Sequence, residues 1–126
     1  MSETSRPFLR FRFEELEVWT IGMKIVSEIY RITRLFPKSE TYALSDQLKR
    51  AATSIVLNIA EGSGQPTKKG FLIYIQRSKS SCLECVACIK VALQEKFVEK
   101  NETENLQQLL KEDYFKLIAL AKSMSR

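Results

Sequence analysis

Apolar residues recur every three or four positions along four successive segments of the 126-residue chain. This spacing places them on one face of an α-helix, and it restricts the possible folds more than any other feature. The chain has only 4 Gly and 3 Pro, too few for the many turns of an all-β domain. The sequence therefore predicts an all-α protein with one hydrophobic core.

The apolar stripes define the predicted core. From the first helix to the fourth they are Leu16, Trp19, Met23, Val26, Tyr30, Thr33; Leu44, Leu48, Ala51, Ile55, Ile59; Phe71, Ile75, Ser78, Cys82, Cys85, Ile89, Leu93; and Leu106, Leu110, Leu117, Ala121, Met124. Short loops between the segments predict an antiparallel up-down-up-down four-helix bundle. Trp19 and Tyr30 lie on the first stripe, which favours core packing, and stacking on single-stranded nucleic acid is the alternative.

Turn and capping residues mark the predicted helix ends. Glycines 62 and 64 end the second helix. Thr67 is the predicted N-cap of the third helix, because its hydroxyl can accept a hydrogen bond from a free backbone N–H group. Asn101 and Glu104 resemble a capping box at the start of the fourth.

Before the first helix, apolar and basic residues alternate: Leu9, Arg10, Phe11, Arg12 and Phe13. A period of two is typical of extended chain, so residues 1–13 are predicted to form an extended arm and residues 14–126 the bundle. No segment approaches the roughly 20 apolar residues of a membrane span, and no signal-peptide pattern opens the sequence. A cytoplasmic location is therefore the default expectation.

The second helix has a polar stripe and a further apolar surface in addition to its core stripe. A polar stripe runs beside its core stripe, about 110° round the helix. Its members are Gln47, Arg50, Ser54, Asn58 and Glu61. Val56 and Leu57 occupy the remaining surface, and a helix that is apolar on two sides is expected to be buried on two sides. We therefore predict a homo-oligomer in which this helix also packs against another subunit, with an ordinary solvated face as the alternative.

Burial at such an interface would require partners for the polar stripe, because an unpaired buried polar group costs roughly 1–3 kcal/mol. Glu84 lies on a similar side stripe of the third helix. We predict that Arg50 pairs with Glu84, and that Glu61 caps or pairs near the following loop.

Basic residues are concentrated at one place in a chain of net charge +5. No acidic residue occurs between Glu61 and Glu84, whereas four basic ones do: Lys68, Lys69, Arg77 and Lys79. Such a patch is suited to phosphate, which indicates nucleic acid, with Arg10 and Arg12 as additional contacts from the arm. The alternative is a basic surface that only maintains solubility.

The sequence disfavours catalysis, metals and cofactors. It contains no histidine, the commonest general base near neutral pH and the commonest metal ligand. The remaining enzyme hypothesis uses Glu61 and Glu84 as paired carboxylates. We expect no enzymatic activity and no cofactor.

Two short motifs resemble ligand-binding motifs but lack residues that those motifs require. GSGQPTKK superficially resembles a Walker loop, but Thr67 stands where the glycine before the lysine is required, and a helix precedes the loop. Cys82, Cys85 and Cys88 resemble an iron–sulfur run without its fourth cysteine and following proline. Helical spacing predicts buried free thiols instead.

Three longer stretches carry a family resemblance: FRFEELEVW, ALSDQLKRAATSIVLNIAEGSG and SKSSCLE. They resemble the four-helix bundle proteins encoded in intervening sequences of bacterial 23S ribosomal RNA genes, a fold similar to the accessory variability determinant of diversity-generating retroelements. The resemblance covers about residues 11 to 95, and it departs from the family at Gly70, where relatives usually have an acidic residue.

The resemblance implies a ring, typically a pentamer, around a basic surface or channel. The retroelement relatives bind nucleic acid and a reverse transcriptase, and no catalytic residue carries over to this chain. Two hypotheses follow: a non-enzymatic homo-oligomer that binds RNA or DNA phosphate, and a scaffold for a partner enzyme such as a reverse transcriptase.

Overall fold

Four α-helices make up most of the computed structural model, which describes residues 10–125. They are α1 (Glu17–Thr33), α2 (Leu44–Ser63), α3 (Lys68–Gln94) and α4 (Lys100–Met124). Single 3-10 turns occupy Arg12–Glu15 and Lys38–Glu40, and the described part of the chain contains no β-strand. The all-α prediction with four helices is confirmed. None of the helices in this part of the chain is long and apolar enough to cross a membrane.

The predicted arm falls largely outside the described residues, since 1–9 are not among them. At its described end, Arg12–Glu15 form a 3-10 turn where the alternating pattern predicted extended chain to residue 13. Phe13 is half-buried, and its ring contacts the Trp19 ring at 4.5 Å between centroids. This contact ties the turn to α1.

The helices pack so that α1 contacts α2 and α4, and α3 also contacts α2 and α4. The core between them is dominated by isoleucine and leucine with no exposed surface, as the stripes of α2 and α3 predicted. Its largest members include Ile25, Ile29, Leu48, Ile55, Ile59, Ile75, Leu106, Leu110 and Leu117.

The predicted stripe of α1 is wrong by about one position. The buried apolar side chains are Val18, Ile21, Ile25, Ile29 and Ile32, and of the predicted set only Thr33 is buried. Both sets have helical spacing, but the buried apolar side chains are all aliphatic, whereas Leu16, Trp19 and Val26 of the predicted set are only partly buried against the core. Met23 is 43% exposed and Tyr30 is 42% exposed, so Tyr30 does not serve core packing.

The start of α3 is as predicted, and the start of α4 is not. The Gly70 N–H donates a hydrogen bond to Thr67 Oγ1 at 3.0 Å, which confirms the N-cap. In α4 the capping contact lies two residues earlier than predicted, where the Glu99 N–H donates to Glu102 Oε1 at 2.7 Å. Buried Val98 fixes the chain just before that point, so the helix begins at Lys100.

Candidate nucleic-acid interface

The four predicted phosphate-binding residues of α3 are distributed around the helix. Lys68 and Lys69 lie exposed in its first turn, and Arg77 and Lys79 lie two to three turns further on. At about 100° per residue, Lys79 shares a face with Lys68, whereas Arg77 lies about 180° away from Lys68. The helix therefore presents basic groups on more than one side, and they do not form a single flat patch.

Two of these cations lie over aromatic rings of the same chain. The Arg77 guanidinium carbon is 4.7 Å from the centroid of Tyr74, and Lys79 Nζ is 5.7 Å from that of Tyr114. Attraction to a ring face orients a cation without neutralising it. The charges thus remain available to an anion in solution.

The two arm residues differ in their contacts. The Arg12 guanidinium carbon lies 5.6 Å from the centroid of Phe71, which places it beside the first turn of α3. Arg10 instead pairs with Glu15 at 3.4 Å. Arg12 therefore extends the basic end formed by Lys68 and Lys69, whereas the charge of Arg10 is partly compensated.

Four of the five members of the polar stripe of α2, all except Glu61, find hydrogen-bond partners within the chain. Asn58 Nδ2 donates to the Ser54 carbonyl at 2.8 Å and to Ser54 Oγ at 3.0 Å. Ser81 Oγ of α3 donates to Ser54 Oγ at 2.9 Å, and the fully buried Ser78 donates to the Ile55 carbonyl at 2.8 Å. Serines at the contact between α2 and α3 thus satisfy polar groups that the sequence left without partners.

The predicted pairing of Arg50 with Glu84 is wrong. Arg50 Nη1 pairs with Asp46 Oδ2 at 2.5 Å, one turn earlier in the same helix. Gln47 Nε2 donates to Glu84 Oε2 at 2.6 Å and so occupies that carboxylate. The i,i+4 geometry within one helix offered Arg50 a nearer acceptor than α3 does.

Glu61 and Glu84 lie far apart. Glu84 contacts Gln47, which precedes Glu61 by fourteen residues on α2, or about 21 Å along the helix axis. The Glu61 side chain is exposed and makes no hydrogen bond or ion pair with another residue of 10–125, although its carbonyl accepts one from Gln65. The paired-carboxylate arrangement and the predicted capping by Glu61 are therefore not found.

Val56 and Leu57, both predicted to need cover from a second subunit, differ in exposure. Val56 is only 5% exposed because α1 covers it at Gly22, so this part of the prediction is wrong. Leu57 is 61% exposed and remains available to a partner.

Glycine 62 has a packing role. A carbon at its Cβ position would lie 2.7 Å from Tyr74 Cβ and 2.9 Å from Phe71 Cδ1. Only a residue without a side chain lets α2 and α3 approach this closely at the end of α2. This contact accounts for a glycine in the run IAEGSG without any phosphate loop.

The three cysteines are buried free thiols, as predicted. Burial disfavours a thiolate, and it raises the pKa of Cys82 to about 12; the pKa values of Cys85 and Cys88 are raised for the same reason. Within residues 10–125, no three potential ligands of the His, Cys, Asp or Glu types are grouped to hold a metal ion.

Sequence reasoning missed Asp113, the most unusual polar residue of the core. It has no exposed surface, and neither carboxylate oxygen has a hydrogen-bond partner among the described residues. Burial raises its pKa to about 8, with a further increase from Glu112 and an opposing effect of Lys116. The signal was present in the α4 stripe, where the gap between Leu110 and Leu117 leaves position 113 facing inward.

Comparisons with known proteins agree on the type of fold. A family model described as 23S rRNA-intervening sequence protein matches residues 14–119. The structure is similar to that of a protein with unknown function from the S23 ribosomal protein family of Bacteroides thetaiotaomicron, with a TM-score of 0.77 and 17% sequence identity. That similarity covers 83% of this chain and 98% of the other. No curated protein matches the chain.

Proposed function

Because the chain belongs to the family of 23S rRNA-intervening sequence proteins, we propose that it is a non-enzymatic, homo-oligomeric bundle that binds RNA or DNA through phosphate groups. The observation that carries this proposal is the uncompensated charge along α3. Within residues 10–125, none of the four ion pairs involves Lys68, Lys69, Arg77 or Lys79.

Binding through phosphate rather than base edges follows from the geometry of these cations. They are distributed along and around a helix, an arrangement suited to a charged backbone and not to one particular base pair. Arg12 adds a further cation at the first turn of α3, where it lies over Phe71. The separation of Glu61 from Glu84 supports a binding role over a catalytic one.

The proposed subunit is an antiparallel up-down-up-down bundle. Contacts between α2 and α3 support this direction, because the residue number falls on α3 as it rises on α2. The pairs are Gln47 with Glu84, Ser54 with Ser81, and Ile55 with Ser78. The four residues between α2 and α3 also suit a direct reversal of the chain.

The proposed assembly is a pentameric ring, as the family resemblance implies. Exposed Leu57 beside the polar stripe of α2 supports an interface on this side of the bundle. A ring would also repeat the basic residues of α3 around one axis, and a repeated set of cations strengthens binding to a polyanion.

Salt dependence provides the test of nucleic-acid binding. Changing Lys68 and Lys69 to Gln should weaken binding of single-stranded RNA. If each lysine neutralises one phosphate, the double variant should also flatten the slope of log K against log salt by about 1.4. Fluorescence anisotropy between about 50 and 200 mM salt measures this slope. Lys111 and Lys122, exposed on α4, provide a control pair with the same charge change. An affinity of the unmodified protein that does not change with salt would contradict the proposal.

A second candidate function, a scaffold for a partner protein, is favoured by a different surface. Leu83 of α3 and Phe115 of α4 are 52% and 57% exposed beside a groove of about 390 Å³. Exposed apolar side chains grouped along a groove are typical of sites that bind another protein. Changing Leu83 to Asp should abolish capture of such a partner and leave RNA binding unchanged.

A further inference from the structure

A small pocket lies at the end of the bundle where α1 finishes and α2 begins. Its volume is about 240 Å³, and it is formed by the last turn of α1, the turn Lys38–Glu40 and the start of α2. The residues that matter for its chemistry are Tyr30, Thr33, Arg34, Lys38, Ser45 and Lys49. Because α2 is about 30 Å long, this pocket is distant from Lys68 and Lys69.

The wall of this pocket carries three cations and no carboxylate: Arg34, Lys38 and Lys49. None of the three forms an ion pair with another residue of the described chain. The nearest acidic residues in sequence do not line this pocket. Asp46 pairs with Arg50, and Glu40 lines the groove between α2 and α3. The pocket is therefore strongly positive, and its interior attracts an anion.

Ser45 gives the pocket a hydroxyl donor in addition to its cations. It lines the wall although the residue is only 5% exposed, and its hydroxyl has no hydrogen-bond partner within residues 10–125. A hydroxyl that lines the wall of a pocket and has no bond within the protein is free to donate to an acceptor there. A bound oxyanion supplies such an acceptor.

The N-terminus of α2 and the ammonium group of Lys49 add further positive charge at this pocket. The first N–H groups of an α-helix have no acceptor within the helix, and the N-terminal end carries partial positive charge. Ser45 belongs to this first turn. Lys49 Nζ lies 5.4 Å from the centroid of Tyr30, which positions its ammonium group at the rim.

We infer that this pocket binds a phosphate group. An arginine fork matches the oxygens of phosphate, and two ammonium groups with a hydroxyl donor complete a set that favours a doubly charged anion over a carboxylate. The volume is below the usual range for a whole small-molecule ligand, so it suits one anionic group. That group is either the terminal phosphate of a nucleic acid or free phosphate, and the inference does not depend on the proposed function.

Titration of the protein with inorganic phosphate at constant ionic strength, followed by amide chemical shifts, tests the site. We expect saturable shifts that include the Ser45 amide. Changing Arg34 and Lys38 to Gln should weaken the affinity at least tenfold, and both residues are exposed, so the fold is retained. The Lys68 and Lys69 double variant is the control with the same charge change. The inference would be overturned if inorganic phosphate showed no saturable binding. It would also be overturned if the Arg34 and Lys38 variant and the Lys68 and Lys69 variant bound phosphate with equal affinity.

Two RNAs that differ only in a 5′-phosphate or a 5′-hydroxyl distinguish the sources of phosphate. At least tenfold tighter binding of the phosphorylated RNA, lost in the Arg34 and Lys38 variant, identifies a terminal phosphate. Equal binding of both RNAs, together with saturable binding of inorganic phosphate, identifies free phosphate. The Lys68 and Lys69 variant should weaken both RNAs equally, which separates failure of this pocket from failure of the α3 interface.

Discussion

Val56 of α2 packs into the space that Gly22 leaves open on α1. A carbon at the Cβ position of Gly22 would lie 2.7 Å from Val56 Cγ1, closer than two carbon atoms can approach without a shift of one of them. This contact explains why an apolar residue outside the core stripe of α2 is buried within a single chain. It also removes Val56 from any surface available to a second subunit.

Gly22→Ala should destabilise the protein by about 1–2 kcal/mol, because the new methyl group overpacks the contact with Val56. At an unconstrained helical position the same change stabilises by up to about 1 kcal/mol, so the direction of the effect is informative. Urea unfolding measures it. In a Val56→Ala background the added methyl group has room, and the penalty should disappear. A gain in stability from Gly22→Ala alone would contradict the proposed contact.

Periodicity was sufficient to predict the helices because each has an amphipathic pattern with a clear end. Most of the stripes of α2 and α3 are buried as predicted, with Leu44 and Leu93 only partly buried, and Thr67 caps α3 as its position indicates. In α1 two apolar stripes compete, and only the packing of α2 and α4 decides which faces inward. A single sequence does not show which of the two stripes of α1 is buried.

The side-chain pairs and the sites were less predictable. Arg50 had acceptors available on two helices, and the choice of Asp46 depends on distances that a helical wheel does not give. The pocket around Arg34 and Ser45 joins residues from two helices and a turn, so no local motif marks it. Burial of a carboxylate such as Asp113 runs against the ordinary rule that core positions are apolar, and a pattern search passes over it.

Asp113 should make the protein less stable as the pH rises. Its pKa is raised from 3.8 to about 8 in the folded state, so between these values the folded protein retains a proton that the unfolded chain releases. The contribution of Asp113 to stability is therefore greatest below about pH 4, falls as the pH rises toward 8, and changes little beyond that. Thermal unfolding across this range measures the slope.

Asp113→Asn should remove most of this slope. At pH 8 the variant should be more stable than the unmodified protein by a few kcal/mol, since each pKa unit corresponds to about 1.4 kcal/mol, and near pH 4 the two should be similar. Glu104→Gln, at an exposed position of the same helix that does not affect the pKa of Asp113, is the control and should retain the slope. If the Asp113→Asn variant had the same pH dependence of stability as the unmodified protein, the pKa of Asp113 would not be raised in the folded state.

The cysteines should react slowly in the folded state. Cys82 and Cys85 have no exposed surface, and burial raises the pKa of both thiols, so the reactive thiolate is scarce. Cys88 is 7% exposed and should be modified first. Mass spectrometry after brief treatment with a maleimide measures the order, and labelling in denaturant provides the control. Rapid modification of Cys82 in the native protein would contradict its position in the core.

Leu57→Asp should reduce the mass of the assembly toward that of a single chain. Because Leu57 is 61% exposed, the change costs an isolated subunit little, whereas a charge buried between two subunits is strongly unfavourable. Leu83→Asp, at a residue that is 52% exposed beside the groove between α3 and α4, is the matched control and should leave the mass unchanged. Sedimentation equilibrium gives both values, and five times the mass of one chain is expected for the unmodified protein. A folded monomer with Leu57 intact would contradict the ring, because the exposed side of α2 would then need no partner.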